Sequence, residues 1–487
     1  MPFTLMFSLQ RRQDQLFILV LNLVLVVLGF AEFQLATAAN PFTCYANDFV
    51  APDRAVAPYA SKLAGAQDTI VAWADEMASY GPWSVTYKPV VAPSKDKHDY
   101  MSWAPYQWPD CSKVPNHNKL TQSQVWKTCP YVFRDGQVNP DRWLPNDFQS
   151  FFNLSDAVLY NAIASTLQND SSSKYSQNAV KFINTYFLDS KTAINPNLNY
   201  AQMNRGPNGQ HGEYTGILDL RAFAKIASGI LILREHKNPD WTSDIDSKMI
   251  AWCKKYIKWL QTAPTAKQAA SAKNNHGTFY VNQMMALKLI VNDKAGATKL
   301  GRKYFGGTFK GQMNSNGDQP MEASRSHPYH YRNFNIAGMI TNARLLKYAD
   351  PTSDVWNTTS NGATIKTAVD FLMTTEPSAS KETNITAEIY PNVAAIMSIY
   401  GDPQKKYLNF LKNSGFPYTT DANYLWDQPA VNAGAKNAAN NGAGAASPTL
   451  SSVATSSPTS VAVEIRPGRV MGCMMLLVVF VAMSGLC

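Results

Sequence analysis

The rhythm of apolar positions changes near residue 145. From about 45 to 145 the chain is rich in Pro, Trp and Tyr and shows no long periodic run. Beyond it, apolar residues recur at three- and four-residue intervals, the spacing that lays one stripe along a helix. Leu154, Val158, Ala162 and Leu167 predict one helical face, and Val180, Ile183 and Phe187 the next. Leu220, Phe223, Ala227 and Ile230 follow, then the clearest stripe of all: Met249, Trp252, Cys253, Tyr256, Ile257 and Leu260. Further helices are predicted from Ile336, Met339, Ile340 and Ala343, from Ile365, Val369 and Leu372, and from Val393, Ile396 and Met397. Two-residue alternation is scarce, and connectors such as NPNLNYAQMNRGPNGQHGEYTG are polar and Gly/Pro-rich. The expectation is an all-α fold: antiparallel helix pairs closed into an (α/α) toroid or incomplete barrel, with long loops gathered at one rim. No repeat of fixed period is visible.

The two ends read differently from the middle. Residues 17–30, FILVLNLVLVVLGF, follow Arg11 and Arg12 and precede LATAAN, whose small residues suit signal-peptidase cleavage near Ala39. An uncleaved anchor is the competing reading. Residues 470–487, VMGCMMLLVVFVAMSGLC, are apolar and follow the spacer PTSVAVEIRPGR and the small-residue stretch AGAASPTLSSVATSS. That order predicts a glycosylphosphatidylinositol attachment signal, with Ser456 or Ser457 as attachment residue; a C-terminal transmembrane tail is the alternative. The expected organisation is a signal peptide over 1–39 and a catalytic toroid over 40–430. A flexible Ala/Gly/Ser/Asn-rich stalk over 431–460 and the hydrophobic signal over 461–487 complete it.

Both signals imply secretion, cell-surface attachment and oxidising conditions. Cys111 and Cys129 flank a short polar loop and are expected to pair, whereas Cys253 falls on an apolar helical face and reads as a buried thiol; Cys44 is left open. Sequons at Asn153, Asn169, Asn357 and Asn384 fit a glycosylated extracellular protein. The formal net charge is +9, which favours a polyanionic partner. No Lys/Arg run supports nucleic-acid binding, so an acidic polysaccharide is the expected partner of a monomeric protein.

The chemistry concentrates in two loop-to-helix junctions. NNHGTFYVNQ (274–283) sets Asn275 and His276 before a helix, and QPMEASRSHPYHYRNFNI (319–336) sets Arg325, Tyr329 and Tyr331 before another. An amide, an imidazole, a guanidinium and phenols suit β-elimination at a 4-O-linked uronic acid. The proton on C5 is weakly acidic while the adjacent carboxylate is charged. Donors and a cation neutralise that carboxylate and stabilise the enolate-like intermediate. A tyrosine then takes the proton, if Arg and His⁺ favour its phenolate, and returns one to the leaving O4. A glycoside hydrolase would need two carboxylates at a set separation; Glu322 and Asp219 are available, without a partner motif.

Six segments, in order, carry a resemblance: HDYMSWAPYQWPD (98–110), DGQVNPD (135–141), YFLDSKTAINPNLNYAQ (186–202), GILDLR (216–221), NNHGTFYVNQ and QPMEASRSHPYHYRNFNI. The chain resembles the alginate-lyase-like polysaccharide lyases, in a secreted eukaryotic form, over roughly residues 55–400. The resemblance implies an (α/α) toroid and β-elimination on uronate polymers. It also implies carboxylate neutralisation by Asn275 and His276, with His276 assisting the proton, Arg325 as the second-loop arginine and Tyr331 as base and acid. The sequence departs from alginate-specific bacterial members at Phe334, where they carry a tyrosine, which leaves glucuronan or another uronate polymer open beside alginate.

Other residues are expected around the cleft. Tyr100, Trp103, Tyr106 and Trp108 are candidates for stacking on sugar rings, or for pinning a long loop. Asn199, Tyr200 and Gln202 offer hydrogen bonds to hydroxyls, His211 a substrate-facing cation, and Tyr329 either stacking or packing. His98 and His327 are weaker rim candidates. Elimination requires no cofactor, and the histidines lack metal-ligand spacing. The rivals are a hydrolase on the same scaffold and a cell-wall carbohydrate-binding protein without turnover.

Overall fold

The computed structural model describes residues 49–55, 64–167, 173–383, 385–416 and 420–421. The expected signal peptide, stalk and C-terminal signal, together with Cys44, Asn169, Asn384, Ser456 and Ser457, lie outside the described residues.

The fold is an (α/α) toroid. Its inner layer is α2 (Asp147–Leu167), α4 (Phe223–Glu235), α7 (Asn275–Ile290), α9 (Pro328–Ala349) and α11 (Tyr390–Tyr400), each packed on the next. Outside them lie α1 (Ala64–Tyr80) and α3 (Lys174–Ile183) against α2, and α5 (Ser243–Thr262) and α6 (Pro264–Ser271) against α7. Next come α8 (Lys294–Gly306) against α7 and α9, α10 (Ile365–Leu372) against α9 and α11, and α12 (Lys406–Asn413) against α11. The two layers differ in sequence for a physical reason. An inner helix is covered on all sides, so α7 buries every residue except Lys288 and shows no stripe. An outer helix keeps one wet face; α5 buries Met249, Trp252, Cys253, Tyr256 and Leu260, the stripe its spacing predicts.

The aromatic-rich segment before residue 145 contains more order than its pattern predicts. After a single helical turn, Pro52–Ala55, comes the 17-residue α1, whose buried positions are Ala66, Ile70, Ala74 and Met77. Two alanines of four make the stripe faint. Strand β1 (Met101–Trp103) then pairs in parallel with β4 (Tyr200–Met203), and β2 (Gln107–Pro109) pairs antiparallel with β3 (Tyr131–Phe133). The β2–β3 hairpin forms an arm. The Cys111–Cys129 disulfide and the bond from Asp110 N–H to the Pro130 carbonyl close its far end. Cys253 is a buried free thiol. Among the described residues, no helix is long and apolar enough to cross a membrane.

Candidate active site

Helix α7 begins at the rim because Asn274 caps it, its side chain accepting from His276 N–H. Gly277 is required there: a Cβ at that position would fall 2.1 Å from the Ala272 carbonyl oxygen, so only glycine lets α7 start against the end of α6. Asn275 is fully buried and clamped by Glu322, which accepts from Asn275 N–H at 2.8 Å and from Nδ2 at 2.7 Å. One Nδ2 proton is thereby engaged and the second is left over; Oδ1 is buried without a hydrogen-bond partner. Burial pushes the Glu322 carboxyl above its ordinary range, against the pull of the two Asn275 donors.

His276 lies 3.1 Å from Asn274 Oδ1 through Nδ1. Because Oδ1 is an acceptor, Nδ1 carries the proton and the Nε2 lone pair is left for another partner. The imidazole faces the Tyr214 ring at 5.2 Å. Burial, reinforced by the nearby Arg325 charge, pulls its pKa down to about 4. His276 is therefore neutral at ordinary pH, and the expectation of a His⁺ beside the tyrosine is corrected: the desolvated imidazole sheds its proton.

On α9, one turn into the helix, the Tyr331 hydroxyl meets the Tyr106 hydroxyl at 2.7 Å and accepts from Arg325 Nη2 at 2.9 Å. The Arg325 guanidinium also covers the Tyr331 ring, 3.9 Å from its centroid. Asp135 holds the guanidinium through contacts of 2.6 and 3.3 Å and accepts from Ser326 N–H at 3.0 Å. Tyr106 and Asp135 come from the base of the arm, where Arg134 N–H donates to the Tyr106 carbonyl. Burial drives the Tyr331 phenol well above its ordinary pKa, with Tyr106 adding to the rise and Arg325 opposing it. Phe279 of α7 joins Tyr331 and Phe334 in one apolar cluster, which brings the two helix starts together.

The structure thus joins Arg325, Tyr331 and Tyr106 directly, and sets Asn275 and His276 at the adjoining helix start, where His276 feels the Arg325 charge. It buries some of the other candidates and leaves others at the surface. Tyr100 is 1% exposed and donates to Asp219, so it offers no face to a sugar. Trp103 is 2% exposed, under the Arg205 guanidinium and beside Trp126, and is equally unavailable. Gln202 spends its amide on Asp219, and Asn199 accepts from Trp259 Nε1. Tyr329 is 1% exposed and packs in the core, so of its two readings packing stands. Trp108 donates to the Gln137 carbonyl and pins the arm, and His98 binds the Ala193 carbonyl oxygen. Tyr200 is half-buried and His211 exposed on the 204–213 loop. His327 sits against Ser326 and Gly136. Of the described sequons, Asn357 is exposed in a one-turn helix and Asn153 is half-buried within α2. Glu322 and Asp219 are both buried and bound by donors; Asp219 takes Tyr100, Ser102 and Gln202. Neither is placed as a hydrolase carboxyl facing a cleft.

Asp135, which holds Arg325, is the residue of this site that sequence reasoning missed. Its only signal in the sequence is the Asp-Gly pair in DGQVNPD, a turn signature without chemistry attached. Glu322, available in the sequence as a hydrolase acid, is the Asn275 clamp.

The helical toroid and the family that the chain matches make it a polysaccharide lyase. The chain matches the alginate lyase family over residues 84–382 and belongs to it. Among solved structures, it is similar to an alginate lyase from Bacteroides ovatus: 28% identity, TM-score 0.64, covering 75% of this chain and 93% of that one. No curated protein matches it.

Proposed function

We propose that this lyase cleaves a 4-O-linked uronic-acid polymer, alginate, glucuronan or a related chain, by β-elimination. Arg325 and the spare Asn275 amide proton neutralise the C5 carboxylate, and Tyr331 exchanges protons with C5 and O4. The observation that carries the reading is the hydroxyl of Tyr331 held between Arg325 and Tyr106, with His276 and Asn275 at the adjoining helix start. Arg325 is the group that lowers the cost of a phenolate, and Tyr106 is a ready acceptor or donor for the same proton.

A second assignment of the proton steps is favoured by the neutral His276. Its free Nε2 would take the C5 proton, while Tyr331, whose phenol burial keeps protonated, gives one to O4. The two assignments suit opposite C5 epimers, because the epimers present that hydrogen on opposite faces of the ring. Incubation with alginate fractions, glucuronan and pectate, followed by ultraviolet absorbance of the new C4=C5 double bond, tests the reaction and ranks the epimers. Reducing ends without absorbance would mean hydrolysis; binding without either would mean a lectin-like protein. We also propose action outside the cell, at the surface; the Cys111–Cys129 disulfide suits an oxidising compartment. Release of the protein from intact cells by a phosphatidylinositol-specific phospholipase tests the anchor.

A further inference from the structure

The aromatic faces expected to hold sugar are largely buried, yet Trp143 is 51% exposed. An isolated exposed indole would need no explanation, but Trp143 ends a continuous wall. Its ring lies 6.1 Å from Phe148, and Phe148 lies 4.8 Å from Phe152. The Arg142 guanidinium sits 4.1 Å from the Phe148 ring and 5.7 Å from Trp143. The Arg221 guanidinium sits 4.3 Å from Phe152 and 5.0 Å from Phe334. Phe334 shares a cluster with Tyr331, one helical turn away. The wall therefore runs from the proton-exchanging phenol to the protein surface by alternating aromatic and cationic steps.

We propose that Trp143 is the outermost sugar platform of the cleft, a distal subsite that holds the uronate chain several units from the scissile bond. The inference rests on the uronate-polymer reading above. An indole face suits the C–H side of a pyranose ring. The two guanidiniums beneath the wall give it a positive potential matched to a carboxylate-bearing chain; Asp219, 3.8 Å from Arg142, offsets part of that charge. Phe148 and Phe152 are half-buried and fill the span between platform and site.

The test is Trp143→Ala, with Trp143→Phe as the conservative control, assayed by double-bond absorbance on uronate oligomers of graded length. A thermal melt confirms that both variants fold. Oligomers too short to reach the platform should turn over as in the wild type. For long oligomers and polymer, KM should rise about tenfold in Trp143→Ala, one lost aromatic contact, with kcat held and largely restored in Trp143→Phe. An unchanged length dependence, or an equal loss at every length, overturns the subsite while leaving the lyase reading intact. A wild type that eliminates no uronate of any length overturns the substrate reading, and the subsite with it.

Discussion

Replacing Asp135 with Asn keeps the side chain's shape and removes the charge that holds Arg325. Burial alone would raise the Asp135 pKa, but the hydrogen bonds from Arg325 and from Ser326 N–H bring it down from 3.8 to about 2. That depression corresponds to roughly 2 kcal/mol favouring the charged folded form, and screening at a side chain about a quarter exposed reduces this to about 1–2 kcal/mol. A carboxyl with a depressed folded pKa stabilises the protein above its unfolded value, near 4, and loses that contribution as pH falls through about 2. Asp135→Asn should therefore melt about 2–4 °C lower at pH 7, with the gap closing as the pH approaches 2. The same guanidinium then approaches Tyr331 without a fixed orientation. kcat/KM, followed by double-bond absorbance, should fall about 10- to 30-fold, the rate equivalent of 1.4–2 kcal/mol. A variant that melts and turns over like the wild type at pH 7 would refute the view that the arm orients Arg325.

His276 should titrate near pH 4 in an NMR titration, its resonance identified by loss in His276→Ala; a midpoint near 6.5 would contradict its burial. Because its folded pKa is depressed, its neutral burial costs stability progressively as pH falls from about 6.5 to 4, by roughly 3 kcal/mol. His276→Ala should cut turnover by about 10²- to 10⁴-fold, and an unchanged rate would return the residue to a helix-start role. Gly136 has φ +75°, and a Cβ there would fall 2.3 Å from His327 Cε1. Gly136→Ala should displace the Asp135 loop at a cost of about 1–3 kcal/mol and lower kcat/KM; wild-type kinetics would show that the loop tolerates movement.

What the sequence makes legible follows from what each element must hide. The outer helix α5 displays its stripe because one face stays in water, and α9 shows part of one in Ile336, Met339, Ile340 and Ala343, whereas α7 is covered all round and announces itself only through its start, NNHG. Helix α1 is faint because alanines do half of its packing. The convergence of Asn275, His276, Arg325 and Tyr331 is anticipated because both junctions carry polar residues where a helix begins. The burial of Tyr100 and Trp103 is not: an aromatic that meets a sugar and one that covers Asp219 or Arg205 have the same letter and the same local spacing. The Asp135–Arg325 pair spans 190 residues and leaves no periodic trace. The protonation of His276 is likewise set by burial, which no local spacing encodes.

In the proposed elimination the oxygen of Tyr331 moves the protons. Tyr331→Phe removes that oxygen and keeps the ring on Arg325 and in its cluster with Phe279 and Phe334. Double-bond absorbance on a uronate polymer that the wild type degrades, measured beside polymer retention in affinity electrophoresis, is the direct test. Retention should survive while absorbance no longer rises; wild-type absorbance from Tyr331→Phe would contradict a proton-moving role for that oxygen.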